Sequence, residues 1–468
     1  MQINRYFRTA HSAILALVVL GTWRPLHGQQ LPTQSITIQQ AVDSALRNYP
    51  AIKVSQQQID AAAAGIQLAR TAYLPRVDSI AQVNRATRNN VFGLLLPQSV
   101  IPSISGPVLG SNNLGSAWGS AVGATVTWEP FDFGLRDATV AAATATKARN
   151  EATLKRTEFE IEVATADAFL TLLAAQETVR TAQAGVQRAD SLVRSVRTQV
   201  DAQLRPGADA SRIEAELAAA RTQLAQAEQS RDVARVLLSQ FTGIPPQQFA
   251  PVEGNLLQLP QEESNAQADL TKHPLVVEQN ALIVQKKAEL EILEKSFVPK
   301  FYTQGSAFAR GTGAETDGGR MGGVNGLAPS TQNYAVGFSV SFSLFDRAAI
   351  HAKEAGQSAS ILSETSRYQQ ITTDLTARRD IANATLDGAR KIAAITPIAV
   401  SSATTANQQA NARYEAGLGT IVEVSDAQRL LIQTEIDNAL ARLSVWRAKL
   451  SVAASAGDIQ PFLAEAVR

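Results

Sequence analysis

Tyr334-Ala335-Val336-Gly337-Phe338-Ser339-Val340-Ser341-Phe342-Ser343-Leu344 alternates without a miss between large apolar and small residues, and Phe345-Asp346 follows at once. A period of two places Val336, Phe338, Val340 and Phe342 on one face of a strand. A soluble sandwich strand would alternate in the same way. The length and the aromatic residues near the ends are those of a membrane-barrel strand, about 9–11 residues long. On that reading the large side chains face lipid and the small ones a lumen. The pattern recurs upstream, where Val122, Ala124, Val126 and Trp128 alternate with Ala121, Gly123, Thr125 and Thr127. Weaker partner strands follow Pro75 (Val77 to Ala86) and Pro299 (Phe301 to Ala309). Between the partners lie loops rich in Gly, Pro, Ser and Asn, 89–119 and 310–333, expected at an outward-facing rim.

The strands are parts of a larger repetition. Asn48-Tyr49-Pro50 recurs as Lys272-His273-Pro274, and Tyr73-Leu74-Pro75-Arg76 as Phe297-Val298-Pro299-Lys300, both displaced by 224 positions. Phe131-Asp132 recurs as Phe345-Asp346 at a displacement of 214, which persists from Asp209-Ala210-Ser211 (Glu423-Val424-Ser425) to Thr242-Gly243 (Ala456-Gly457). Solenoid repeats are about 20–50 residues long. This one is a duplicated structural half: helix, strand, long loop, strand, very long helix, short turn, helix.

Each second strand leads into a very long helix. After Phe131-Asp132 no proline occurs until Pro206, and Ile161, Ala164, Ala168, Leu172, Ala175, Val179, Ala182, Val186, Ala189, Val193, Val196 and Val200 recur at three- and four-residue spacing. That seam is coiled-coil patterning, with many alanines permitting close approach. A helix of such length, on the order of 100 Å at about 1.5 Å per residue, needs lateral partners. The antiparallel returns Asp209 to Phe241 and Ile421 to Ala456 supply them. In the second long helix, Arg347 to Glu415, Pro397 predicts a kink, since proline removes one helical hydrogen bond.

The termini and composition fix the setting. Arg5 and Arg8, the apolar run Ala13 to Gly21 and a break at Pro25 read as an export signal over residues 1–28. Removing it changes 43 basic against 42 acidic residues to 40 against 42, since Arg5, Arg8 and Arg24 go and no acid does. A near-neutral chain offers no electrostatic case for nucleic acid. There is no cysteine, hence no disulfide and no lipid on an N-terminal cysteine. No other apolar run approaches the roughly 20 residues of a spanning helix, so any membrane crossing is by β-barrel. The organisation read from these features is a first repeat over 29–243, a linker over 244–265, a second repeat over 266–457 and a tail over 458–468.

Together these features resemble the TolC-like outer-membrane efflux proteins over about Ser35 to Gly457. The residues carrying the resemblance are the helix starts at Asn48-Tyr49-Pro50 and His273-Pro274, Pro75 and Pro299, Phe131-Asp132 and Phe345-Asp346, Arg413-Tyr414-Glu415-Ala416-Gly417, and Thr420 to Val424 with Asp426-Ala427. The resemblance implies a mixed, mainly α fold. Two duplicated halves per chain would form, in a homotrimer, a 12-stranded transmembrane β-barrel continued by a coiled-coil α-helical barrel in the periplasm. It implies a passive exit duct in outer-membrane lipid, served by an inner-membrane transporter through a periplasmic adaptor (membrane fusion) protein. Drug, metabolite or metal efflux and type I protein secretion use similar outer components. A non-conducting exported coiled-coil spacer would explain the helices but not the alternating strands.

The family's inner gate maps onto the turn after the second long helix. There Glu423 and Asp426 fall on acidic, pore-facing positions, three apart and so on one side of a helix. Tyr414 falls on a residue that helps hold the closed state. Gly419 stands where well-known members have an arginine that pairs across the closed gate. In the first half, Arg205-Pro206-Gly207, Asp209 and Arg212 offer a substitute pairing. The plain alternative is that these acids cap helices, favoured there by the helix dipole. His273 and His351 lack metal-ligand spacing, and no phosphate-binding glycine motif or catalytic constellation is present. The expectation is neither enzyme nor cofactor.

Overall fold

A computed structural model describes residues 34–87, 115–260, 269–315 and 319–467. The expected signal segment, most of the loop 89–119 and Gly318 lie outside the described residues. A short strand β1 (Gln34–Ile36) leads into α1 (Ile38–Asn48), which Thr37 and Gln40 start with a reciprocal capping box. Next comes α2 (Pro50–Thr71), with proline at its first position, where a missing N–H costs no helical bond. The strands β2 (Arg76–Thr87) and β3 (Ser116–Trp128) precede α3 (Leu135–Asp201) and its return α4 (Gly207–Thr242). A three-residue strand, β4 (Phe249–Pro251), pairs parallel with β1. The same order then recurs as α5 (Pro274–Glu294), β5 (Lys300–Thr312), β6 (Thr331–Ser341), α6 (Arg347–Glu415) and α7 (Ile421–Ala456), closed by α8 (Gln460–Val467).

The long strands form one antiparallel sheet in the order β2-β3-β5-β6. Its register carries the alternation across all four. Val336 opposes Gly305, Gly305 opposes Val126, and Val126 opposes Val77. One face therefore bears Val77, Val83, Val122, Val126, Trp128, Tyr334, Val336, Phe338 and Val340, each at least 40% exposed. The other bears Asp78, Gln82, Ala121, Thr125, Gln304, Ser306, Ser339 and Ser341. Phe342, the last of the expected lipid-facing set, is 42% exposed and lies just past the strand. β6 ends at Ser341, and the Phe342 ring packs on Phe297 at 5.0 Å as the chain turns towards α6. Both outer strands, β2 and β6, leave an edge unpaired within the chain.

The helices run at 67 residues for α3 and 69 for α6. Helix α3 is packed by α4, α2, α5 and α7, and all twelve seam residues are buried or half-buried. α6 packs on α5 and α7. It continues through Pro397 without ending.

The largest core lies across the middle of the helices. Phe169, Leu172 and Leu173 of α3, Leu238 of α4 and Trp446 of α7 meet Ile36, Phe249 and Leu256 there. Residues 458–467, expected as a tail, belong to it: Ile459, Phe462, Leu463 and Ala466 are all buried. The Trp446 indole donates to the Gln258 carbonyl at 2.8 Å, so part of the expected linker also packs into this core.

Candidate functional site

At the end of the helices remote from the sheet, two hairpin tips meet: the α3–α4 turn and the α6–α7 turn. Both long helices end the same way. In α6, Leu418 N–H donates to the Arg413 carbonyl at 2.8 Å and Gly417 N–H to that of Tyr414 at 3.0 Å, with Gly417 at φ 78°. In α3, Leu204 N–H donates to Gln199 at 2.8 Å and Gln203 N–H to Val200 at 2.9 Å, with Gln203 at φ 59°. The left-handed residue lets the last carbonyls find donors. Glycine suits that conformation and glutamine does not.

Tyr414 is where the tips join. Its ring is buried among Val193, Val196, Ile213, Leu217, Ile421 and Val424, drawn from all four helices. The hydroxyl donates to Asp209 Oδ2 at 3.2 Å. Burial, then the Asp209 charge, pushes the phenol above its ordinary value. The Arg205 guanidinium lies 4.3 Å from the ring centroid and donates to the Tyr414 carbonyl. Further up, Arg429 reaches Glu216 at 3.5 Å and Arg188 reaches Glu435 at 2.6 Å, both across the hairpins.

The acidic pair is exposed but not bare. Glu423 N–H is capped by Thr420 at 3.4 Å, and its carboxylate faces Arg413 at 3.7 Å. Asp426 accepts from Arg429 at 2.7 Å. Capping and pairing therefore both occur here, and each carboxylate has a cationic partner within its own chain. Arg212 is exposed in the second turn of α4 and makes no ion pair among the described residues. The structure thus joins Asp209 and Tyr414, places Glu423 and Asp426 one turn away on α7, and leaves Arg212 apart. Arg413 was not expected as an acid partner, because it lies ten positions from Glu423 and meets it only through the turn.

Away from the tips, His273 starts α5 as a cap. Its Nδ1 accepts from Leu275 N–H at 3.2 Å, and Nε2 lies 3.3 Å from the Ala454 carbonyl, to which it donates. Burial lowers its pKa from the ordinary 6.5. Among the described residues no group of His, Asp or Glu is disposed to hold a metal ion.

The comparisons agree with this architecture. The sequence model of the outer membrane efflux protein family matches residues 41–244 and 266–458. A curated relative, the cobalt-zinc-cadmium resistance protein CzcC of Cupriavidus metallidurans, is 26% identical over 307 residues, 65% of this chain and 69% of the relative. The solved structure of CusC superposes with a TM-score of 0.74 at 13% identity, covering 93% of this chain and 96% of that one. The outer-membrane channel OprN superposes at 0.70 with 18% identity, covering 90% and 89%. The chain belongs to the outer membrane efflux protein family and is an outer-membrane protein with long periplasmic helices.

Proposed function

We propose that the protein is the exit duct of a tripartite efflux system, working as a homotrimer. The supporting observation is the sheet: one face of exposed large apolar side chains, an opposite face of small and polar ones, and two open edges. In hydrocarbon every backbone N–H and C=O needs a partner, so an open-edged sheet of four strands cannot span alone. Three copies close 12 strands, and Val336, Phe338 and Val340 then face outer-membrane lipid. The helices of three copies continue the barrel as a periplasmic tunnel. There, Asp426, Glu423, Asp209 and Tyr414 line or hold the inner aperture. A periplasmic adaptor joins this end to an inner-membrane transporter.

Among cargoes, small divalent cations are favoured by the relative whose name records cobalt, zinc and cadmium resistance. A strain lacking the protein then loses tolerance to those ions while keeping its tolerance to lipophilic drugs; the reverse result assigns a drug cargo. Topology is checked with Val324→Cys, in the β5–β6 loop where Val324 is 73% exposed. The natural chain has no cysteine to compete. Labelling by an impermeant thiol reagent on intact cells supports the orientation. Labelling only after the outer membrane is broken reverses it.

A further inference from the structure

We infer that Arg205 is the residue that holds the periplasmic aperture closed, the pairing arginine having passed from the second hairpin to the first. The inference rests on the channel reading above. The displacement of 214 that relates the two halves pairs Arg205 with Gly419. The position empty of a side chain in one turn is thus filled by arginine in the other.

The local geometry accounts for the exchange. A Cβ on Gly419 would stand 3.2 Å from the Arg413 Cβ and 3.2 Å from the Tyr414 nitrogen. The α6–α7 turn is folded onto the last turn of α6 too closely to admit a long side chain without shifting. Arg205, at the equivalent place of the α3–α4 turn, extends across to the other hairpin. It meets Tyr414 twice, stacking on the ring at 4.3 Å and donating to the carbonyl. That carbonyl also accepts from Gly417 N–H at 3.0 Å. The arginine is therefore bound to the backbone that terminates α6. Asp209, four residues on, takes the Tyr414 hydroxyl at 3.2 Å. One aromatic residue is clamped at its carbonyl, ring and hydroxyl by the opposite hairpin.

Opening an aperture between these hairpins requires the α6–α7 tip to leave the α3–α4 tip, which breaks all three contacts together. Losing a charge-assisted hydrogen bond and a cation–π contact shifts such a two-state equilibrium by roughly tenfold or more. The buried apolar residues around Tyr414 would remain, so Arg205→Ala is expected to loosen the tips without unfolding them.

Two readouts on the full-length assembled protein separate this inference from the channel reading. The first uses spin labels on cysteines placed at Ala208 and Ala416, one exposed residue on each tip, with the distance distribution measured by pulsed electron resonance. Arg205→Ala is expected to lengthen and broaden that distribution, and Arg205→Lys to do so partially, since a lysine keeps the charge but not the planar stack. Arg197→Ala, which breaks only a pair with Glu214 inside the first hairpin at 2.6 Å, is expected to leave it unchanged. The second readout is conductance of the same variants in planar bilayers, where Arg205→Ala is expected to raise the current several-fold. If the distances move and no variant conducts, the latch stands and the channel reading falls. If the distances of Arg205→Ala and Arg197→Ala both superpose on those of the parent, the latch is overturned. The lysine variant decides the matter if the alanine variant does not assemble.

Discussion

Helices α3 and α6 have nearly the same length and the same place in each half, yet they are covered differently. α3 has neighbours from both halves of its own chain, and its seam is buried. α6 exposes Ile381, Ile392, Ile395 and Ile398 at 55–65%. The positions of α3 equivalent by the 214 displacement are Asp167, Thr178, Thr181 and Ala184, polar or small throughout. In the proposed trimer, this face, which carries isoleucine at 392 and 395 where its twin has threonine, is the one that another copy would cover. The sheet is more even-handed: each half places one strand inside it, β3 and β5, and leaves one edge open, β2 and β6.

The largest test of that contrast is on β6. Phe338→Arg is expected to cost roughly 2–4 kcal/mol for a cation near mid-membrane and to reduce insertion into cell envelopes. Ser339→Arg, one residue along and facing the lumen, should insert normally. Equal losses at both positions would sink the alternating-face assignment. Next comes α6. Ile395→Asp removes apolar burial of about 1.5–3 kcal/mol per protomer, expected to dissociate the assembly on sizing in detergent while helix content stays parental. Thr181→Asp, at the equivalent place on α3, should leave the assembly intact.

The turns sharpen the comparison on a smaller scale. Gly417→Ala forces a side chain into the left-handed region at a cost of about 1–2 kcal/mol. Gln203→Gly releases the same strain and should raise thermal stability by less than about 1 kcal/mol. Both are read as melting midpoints by circular dichroism, and shifts of the same sign would contradict the shared geometry.

The smallest effect is the pH response of the helix starts. His273 is neutral when folded, its pKa lowered by burial. The unfolded chain therefore binds more protons in acid. The stability from the neutral cap is fully present above pH 6.5 and declines as pH falls through the folded-state value below it. His273→Asn keeps a capping acceptor and should flatten the melting-midpoint profile below pH 6.5.

Legibility in the sequence followed element length. The alternation from Tyr334 marked β6, and the alanine-rich seam marked α3 to within two residues of its end. β3 begins earlier than its readable part, because Gly119 and Ser120 carry no apolar signal. β1 and β4, three residues each, are too short for any period, and α8 spans only about two turns with a proline near its start. At the tips, Tyr414 and the acids were marked by their motif. Arg205 was marked there as one candidate for a substitute pairing, but its partner was not, since the contact joins residues 209 apart. The one available signal was the repeat itself, which sets Arg205 opposite Gly419.

The claim that three open-edged sheets close one barrel is tested most directly by linking the edges. Gln82→Cys on β2 and Ala335→Cys on β6 stand on the same face of the two edge strands, the proposed lumen side, and neighbouring strands lie about 5 Å apart. A short bis-maleimide applied to membranes should give a denaturing-gel ladder of one, two and three chains, ending at three, and only when both cysteines are present. A product confined to single chains, or one running beyond three, contradicts the account.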